Sequence, residues 1–216
     1  MKTLIITIGS ILISVLFCSA QDMKFGLLTG FNISYTRFTK LPDNLGDMLD
    51  FDPMITFNVN GYVGYKSDGF WGLSMEPGFI QKGSLHNLNG ESARFHLNYI
   101  QMPVLVDFIL LDRLFLSAGP EIGWMINAKA KGDDYSNDVS DIYDNRFELS
   151  GLIGLNYNLI EYLDIGIRYN HGLTYISKIA YTDTIGNETG ENFKEYNQYL
   201  QFILRFKIKT GANKRV

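Results

Sequence analysis

The 216-residue chain contains one cysteine, three histidines and no long apolar run after its first twenty residues. The cysteine, Cys18, lies inside the apolar N-terminal segment, so a chain that loses this segment has no disulfide, no thiol nucleophile and no cysteine-bound metal. Basic residues are also in the minority, with 19 Lys and Arg against 23 Asp and Glu. This balance offers no broad basic surface for nucleic acid.

Residues 1–20 have the organisation of a secretory signal peptide. Lys2 supplies the positive charge, residues 4–17 form the apolar core, and Cys18-Ser19-Ala20 is a small-x-small cleavage site. The apolar core is shorter than the ~20 residues of a membrane-spanning helix, so a retained anchor is the weaker interpretation. A lipoprotein acylated on Cys18 is another alternative, which the bulky Phe17 disfavours. Cleavage changes the net charge from −4 to 18 − 23 = −5.

The rest of the chain alternates apolar and polar residues with a period of two. This alternation predicts β-strands that have one apolar face. The strand length matches the ~9–11 residues that a tilted strand needs to cross a bilayer. Eight such runs are present, at 25–35, 55–65, 70–82, 98–110, 114–127, 147–158, 163–169 and 198–208.

The connections between these runs alternate between long and short. Long polar segments cover 36–54, 83–95, 131–146 and 178–197, whereas short turns lie at 66–69, 111–113 and 159–162. Long loops on one side and tight turns on the other are typical of outer-membrane barrels. We therefore predict an all-β fold, an eight-stranded antiparallel up-and-down transmembrane β-barrel over residues 21–208. Both chain ends are then periplasmic, and residues 209–216 form a short tail.

Aromatic residues on the apolar faces fall near the strand ends, where the rings of interfacial girdles are expected. Aromatic residues favour any strand, so this placement supports the prediction without deciding it. One group lies near the periplasmic ends and the other near the outer ends: Phe25, Tyr65, Trp71, Phe108, Tyr157 and Phe206, then Tyr35, Phe79, Trp124, Phe147 and Tyr175.

Three motifs resemble the PorT-type outer-membrane β-barrel domain: Glu76–Gly83, Tyr99–Val106 and Ala118–Gly123. The resemblance covers nearly the whole chain after the signal segment. It implies an eight-stranded barrel in a Gram-negative outer membrane, with envelope or secretion-system proteins as possible partners. The tail departs from the usual pattern, because Phe206 is followed by ten further residues and does not end the chain.

Four charged residues fall on the polar faces of the predicted strands and therefore point into the lumen. Glu76, Glu121 and Arg168 are expected at similar depth, with Arg205 nearer the periplasmic exit. Charges in so narrow a barrel must pair or stay hydrated, so we predict an internal carboxylate–guanidinium network that fills the lumen. In the alternative, each side chain faces trapped water without a specific partner.

Three prolines, Pro77, Pro103 and Pro120, lie at similar height on neighbouring strands. Proline cannot donate a ladder hydrogen bond, and a closed barrel has no free edge. Bulges are therefore predicted at this level.

Other candidate sites are weaker. The aspartates of residues 131–146 could bind calcium, but their spacing matches no calcium loop and ordinary solvated charge is the preferred interpretation. A hydrolase site would need His86 with Ser84 or Ser92, and nothing in the sequence places a nucleophile beside its base. We predict no catalytic residue, cofactor or metal.

The sequence thus favours a non-enzymatic outer-membrane barrel with a structural or protein-interaction role. Two alternatives remain: a narrow ligand-binding or transport barrel, and an exported soluble barrel of lipocalin type. The last predicts that the apolar face of residues 100–108 is buried inside the protein.

Overall fold

The computed structural model describes residues 23–39, 51–88, 91–182 and 188–208. The predicted signal peptide and the tail at 209–216 lie outside these residues. No helix in the described ranges is long and apolar enough to span a membrane. The described strands are β1 (Met23–Thr39), β2 (Phe51–Lys66), β3 (Trp71–Met75), β4 (Gly78–Leu88), β5 (Glu91–Leu111), β6 (Leu114–Lys131), β7 (Ser136–Asp138), β8 (Phe147–Ile160), β9 (Leu163–Gly172), β10 (Ser177–Thr182) and β11 (Glu188–Ile208).

Eight wall strands close into a ring. β3 and β4 follow one another as two parts of one wall strand, and both pair with β2 on one side and β5 on the other. The ring continues through β6, β8, β9 and β11, and β1 pairs with both β11 and β2. All pairings are antiparallel between sequential wall strands, which confirms the predicted up-and-down architecture.

Side chains alternate between the interior and the exterior of the ring, as the period of two requires. The exterior is apolar: Ile55 is 76 % exposed and Ile100 is 57 % exposed. The interior is polar, with Asn32 and Asn58 completely buried. The inward and outward sets predicted from the sequence are therefore confirmed along the wall strands, except at Asn127, which a register shift of β6 against β5 turns from the predicted inward face to the outward face. Exposure of the 100–108 face contradicts the soluble lipocalin-type alternative.

The wall strands are longer at one end than the sequence indicates. Residues 83–95, predicted as a long polar connection, instead continue β4 and β5 as a paired hairpin from Gly78↔Gln101 to Leu88↔Glu91. Gly83 suggested a strand end but lies within β4 at φ +138°, where a Cβ would lie 1.8 Å from the Phe95 carbonyl oxygen. Glycine therefore permits a positive φ inside a strand that continues through it.

The predicted proline bulges are wrong. β6 pairs with β8 in one unbroken register from Leu114↔Tyr157 to Trp124↔Phe147, straight past Pro120. The register shifts of β5 with β6 lie instead at 98/99 and 109/111.

Pro103 is accommodated by a side chain that replaces its missing donor. The Pro103 carbonyl accepts a hydrogen bond from the Glu76 backbone N–H at 3.0 Å. Proline has no backbone N–H, so the Glu76 carbonyl receives no hydrogen bond from Pro103 in return. The Asn60 amide donates to that carbonyl at 2.8 Å from the lumen side. The ladder therefore keeps its register without a bulge.

The two tryptophans of the chain give a direct test of the exterior face. Trp71 and Trp124 are 37 % and 58 % exposed on the outside of the ring. In vesicles of lipids brominated on their acyl chains, we expect the fluorescence of both residues to be quenched, because each indole contacts lipid. Trp71→Phe and Trp124→Phe variants separate the two signals. Emission unaffected by bromine in both variants would contradict a lipid-facing exterior.

Candidate functional site

Seven charged side chains are fully buried in the described part of the barrel. Four are acidic and three are basic: Glu76, Glu121, Glu148, Asp164, Lys82, Arg168 and Arg205. Lys207, with its side chain 11 % exposed, contacts Asp164 and brings the balance to 4 − 4 = 0. An uncompensated charge in such a site would be very costly, so a neutral total is what a narrow interior requires.

The first cluster is centred on Glu76, which follows the end of β3. Arg168 of β9 binds this carboxylate with both terminal nitrogens, at 2.5 and 2.9 Å. Arg205 of β11 donates to the same carboxylate at 2.7 Å. A two-pronged guanidinium–carboxylate contact is among the strongest hydrogen-bonded pairs in proteins. Glu76 therefore connects three separate wall strands across the lumen.

Arg205 extends this cluster toward the end of the barrel that carries the short turns. It lies 3.4 Å from Asp164, which also accepts a hydrogen bond from Lys207 at 2.6 Å. Its guanidinium stacks over the rings of Tyr62 at 4.4 Å and Phe115 at 5.7 Å. The planar cation is thus held by carboxylates at its edge and by aromatic rings at its faces.

The second cluster is centred on Lys82 of β4. Its ammonium lies 2.7 Å from Glu148 and 3.1 Å from Glu121. The rings of Tyr99 and Tyr199 flank it at 4.9 and 5.2 Å. Two carboxylates and two aromatic faces replace the hydration shell of the ammonium ion.

Both carboxylates of the second cluster receive further donors. Tyr199 donates to Glu121 at 2.5 Å, and Asn197 donates to Glu148 at 2.6 Å. The hydrogen-bonding neighbours of Gln101 assign its amide so that the nitrogen donates to Glu121 at 3.2 Å and the oxygen accepts from Asn60 at 3.3 Å. Since Asn60 also binds the Glu76 carbonyl, the two clusters are connected.

An apolar plug lies on the side of the second cluster toward the long connections. Its residues are Ile80, Leu97, Tyr99, Met125, Ala128, Tyr143, Ile176 and Tyr199, with Val139 packed against them. Tyr143 and Ile176 come from the connections after β7 and β9. Backbone hydrogen bonds hold these connections in place, from Asn145 to the Ile176 carbonyl and from Ile176 to the Glu195 carbonyl.

The structure joins three of the four lumen residues named from the sequence into one cluster. Glu76, Arg168 and Arg205 are in direct contact, whereas Glu121 binds Lys82 in the other cluster. The sequence reasoning missed Lys82, Glu148 and Asp164 as partners. Their signal was available, since each is a charged residue on an inward face.

The remaining candidate residues have other partners in the structure. His86 stacks on the Phe51 ring at 4.6 Å, and the Ser84 hydroxyl accepts a hydrogen bond from Thr36. Ser92 donates to Asn87. Within the described ranges, no three His, Cys, Asp or Glu side chains converge in a metal-binding arrangement.

A small vestibule opens at the end of the lumen that carries the short turns. Its volume is about 210 Å³, and Tyr62, Asp107, Phe115, Asp164 and Arg205 are among its lining residues. The first cluster forms its inner end. A ligand entering from this side would therefore meet Arg205 before any other buried cation of the cluster.

Substituting Glu76 should destabilise the barrel strongly. In Glu76→Gln, Arg168 and Arg205 lose their shared carboxylate, and we expect the free energy of unfolding to fall by about 3–5 kcal/mol. Urea unfolding in lipid vesicles, followed by tryptophan fluorescence, measures this. Asp112→Asn removes an exposed carboxylate from a turn and should change stability by less than about 0.5 kcal/mol. Equal stability of the two variants would contradict the ion-pair assignment.

Substituting Lys82 should destabilise the barrel. Lys82→Met leaves the buried carboxylates of Glu121 and Glu148 without their cation, and we expect the free energy of unfolding to fall by about 3–5 kcal/mol. Adding Glu148→Gln removes one of the two uncompensated carboxylates and should recover part of this loss. Urea unfolding of the single and the double variant measures both effects. A double variant that is less stable than the single variant would refute the assignment.

This chain is similar to solved structures of two bacterial surface proteins. Neisserial surface protein A (NspA) superposes with a TM-score of 0.50 at 14 % identity, over 85 % of this chain and 97 % of that chain. Ail, the attachment invasion locus protein of Yersinia pestis, has a TM-score of 0.45 at 14 % identity, over 86 % and 99 % of the two chains. No curated protein matches significantly. The model of the outer membrane protein β-barrel domain matches residues 19–178, and the chain belongs to that family.

Proposed function

We propose that this protein is a non-enzymatic outer-membrane barrel that anchors interaction surfaces and does not conduct solutes. The observation that carries the proposal is the filled lumen. Two charged clusters and an apolar plug occupy successive levels of the interior, and their side chains are almost completely buried. A solute path through the barrel would require these contacts to break.

The surfaces left for function are the two ends of the barrel. On the side of the long connections, β4, β5, β7, β10 and β11 continue the wall as paired strands. Exposed backbone and side chains on such extensions are suited to contacts with other envelope proteins. A PorT-type relationship, with a partner in a secretion or envelope assembly, is part of this proposal and is supported by the three motifs in the wall strands.

The proposal includes an orientation. Residues 1–20 act as a removed signal peptide, and the mature chain begins and ends in the periplasm. The support is the even number of wall strands, which places β1 and β11 side by side with their free ends at the end of the short turns. The extended strands then face the cell exterior, as in other outer-membrane barrels.

A second candidate function is binding of a small ligand from the periplasmic side. The vestibule of about 210 Å³ favours it, because charged and aromatic groups converge there on Arg205. Its volume is below the ~300–1,000 Å³ of typical ligand pockets. Only a small anion or a short side chain would fit.

Single-channel recording tests the filled lumen. The protein reconstituted in a planar bilayer should show no steady unitary conductance, because buried ion pairs and the plug leave no water path. An established porin in the same bilayer serves as the positive control, and heat-modifiable gel migration checks that the barrel is folded. Stable, reproducible conductance steps from the folded protein would refute the proposal and favour the transport alternative.

A matched variant makes this experiment sharper. The double substitution Glu76→Ala and Arg168→Ala removes the central ion pair of the first cluster and leaves the total charge of the interior unchanged, with Arg205 still beside Asp164. Where this variant folds, we expect brief openings that the unsubstituted protein lacks. If both proteins show the same low current, the second cluster and the plug are sufficient to close the lumen. The absence of conductance in the native protein therefore remains the deciding result.

A further inference from the structure

Four basic side chains lie together on the exterior of β5 and β6. Arg94 is directly opposite Lys131, and His96 is directly opposite Lys129. We call Arg94, His96, Lys129 and Lys131 the basic patch. Arg94, Lys129 and Lys131 are exposed, and His96 is half-buried.

The strand register places the basic patch on the outward face. On β5, steps of two residues lead from the exposed Ile100 through Asn98 to His96 and Arg94. On β6, the register shift opposite Asn98 and Tyr99 leaves Ile126 without a partner residue on β5. Asn127 therefore lies on the same outward face as Ile100, and Lys129 and Lys131 follow on that face. The amide of Asn98 donates to Asn127 at 2.7 Å, which joins the two strands there.

Like charges directly opposite each other in a sheet are unfavourable. The basic patch contains one such pair, Arg94 and Lys131, whereas Lys129 lies between His96 of β5 and Asp138 of β7. At these paired positions of β5, β6 and β7, the cations Arg94, Lys129 and Lys131 face one carboxylate, a surplus of 3 − 1 = +2. An anionic partner would remove the repulsion.

Two further observations concern His96 in the basic patch and Asp138 beside it. Nδ1 of His96 is buried and has no hydrogen-bond partner among the described residues. Burial and the charges of Lys131 and Arg94 lower the pKa of His96, so its ring is neutral at neutral pH and can donate or accept one hydrogen bond. The Asp138 carboxylate is already occupied by the Ser140 backbone N–H at 2.9 Å.

The basic patch follows directly on the apolar exterior. Ile100 and Trp124 are opposite each other, and both are exposed, as is Ile126. At ~3.3 Å per strand residue, Lys129 lies roughly 10 Å along the strand from Ile126. An outward tryptophan marks the edge of the hydrocarbon layer. The basic patch is therefore at the height of lipid head groups.

A second basic group lies farther around the barrel on the same side. Lys178 of β10 is directly opposite Lys194 of β11, whose ammonium lies 5.0 Å from the Tyr175 ring centre. Arg37 of β1 stacks over the Tyr196 ring at 4.5 Å. Cations beyond the outer aromatic residues thus recur on this exterior.

We propose that the basic patch binds the phosphate groups of lipid A, the anionic glycolipid of the outer leaflet. Arginine and lysine are the usual phosphate ligands, the first through paired donors and the second as a point charge. The apolar surface below the patch would contact the acyl chains of the same molecule. This combination favours a lipid over a soluble polyanion. The inference rests on the proposed orientation, which places the patch at the outer leaflet.

Binding of purified lipid A to the full mature protein in neutral-lipid nanodiscs tests this. We expect Lys129→Gln with Lys131→Gln to weaken binding of bisphosphorylated lipid A at least tenfold. Enzymatically dephosphorylated lipid A should bind weakly to the unsubstituted protein and be insensitive to the substitutions. Lys66→Gln with Arg113→Gln removes the same charge from the short-turn end and is the matched control, expected to leave binding unchanged.

Three results would overturn the inference. The first is equal affinity of the patch variant and the control variant for bisphosphorylated lipid A. The second is equal affinity of the native protein for the dephosphorylated lipid. The third is equally tight, patch-dependent binding of a soluble sulfated polysaccharide such as heparin, which would assign the patch to a polyanion in solution. Each result leaves the non-conducting barrel untouched, because that proposal is tested by conductance.

Discussion

The constraint on which the rest of this structure depends is the closure of eight strands into a ring. Closure gives every wall strand two neighbours for its backbone hydrogen bonds and leaves no free edge in the wall. It also encloses an interior just wide enough to be filled by side chains. Every charged group that points inward must then find its partners across the lumen, and the pairing of four acids with four bases follows from this.

The interior solves this problem at successive levels. Near the short turns, Glu76 receives two guanidinium groups. Further along, Lys82 takes two carboxylates between two tyrosine rings. Beyond it, residues of the connections complete an apolar plug. Each level joins strands that are distant in sequence, as with Glu76 and Arg205, which are 129 residues apart. The polar interior therefore contributes specificity to the ring and closes it to solutes.

The exterior follows a different rule. Its middle is apolar and is bounded by aromatic rings, and beyond one boundary it carries the basic patch. This order matches the order of hydrocarbon, interface and head group in a membrane. The amino-acid composition does not indicate this local cationic surface, because acidic residues outnumber basic residues over the whole chain.

Much of the fold could be predicted from single residues and their spacing. Alternation with a period of two decides which face each residue occupies, so the inward position of Arg168 and the outward position of Trp124 could be assigned without coordinates. The strand ends were harder to assign. Gly83 and the polar residues after it indicate a loop, but pairing with β5 supplies hydrogen bonds that a single sequence does not show. Pro103 likewise suggests a bulge, because the compensating amide of Asn60 comes from another strand.

The sequence by itself determined the number of wall strands, their two faces and the identity of the charges inside the barrel. The tertiary structure alone decided which charges meet. Strand tilt and stagger set the relative height of residues on different strands, and these quantities belong to the closed ring as a whole. For this reason Glu121, expected beside Glu76, lies with Lys82, and Lys129 and Lys131 become neighbours of Arg94 and His96 on one patch.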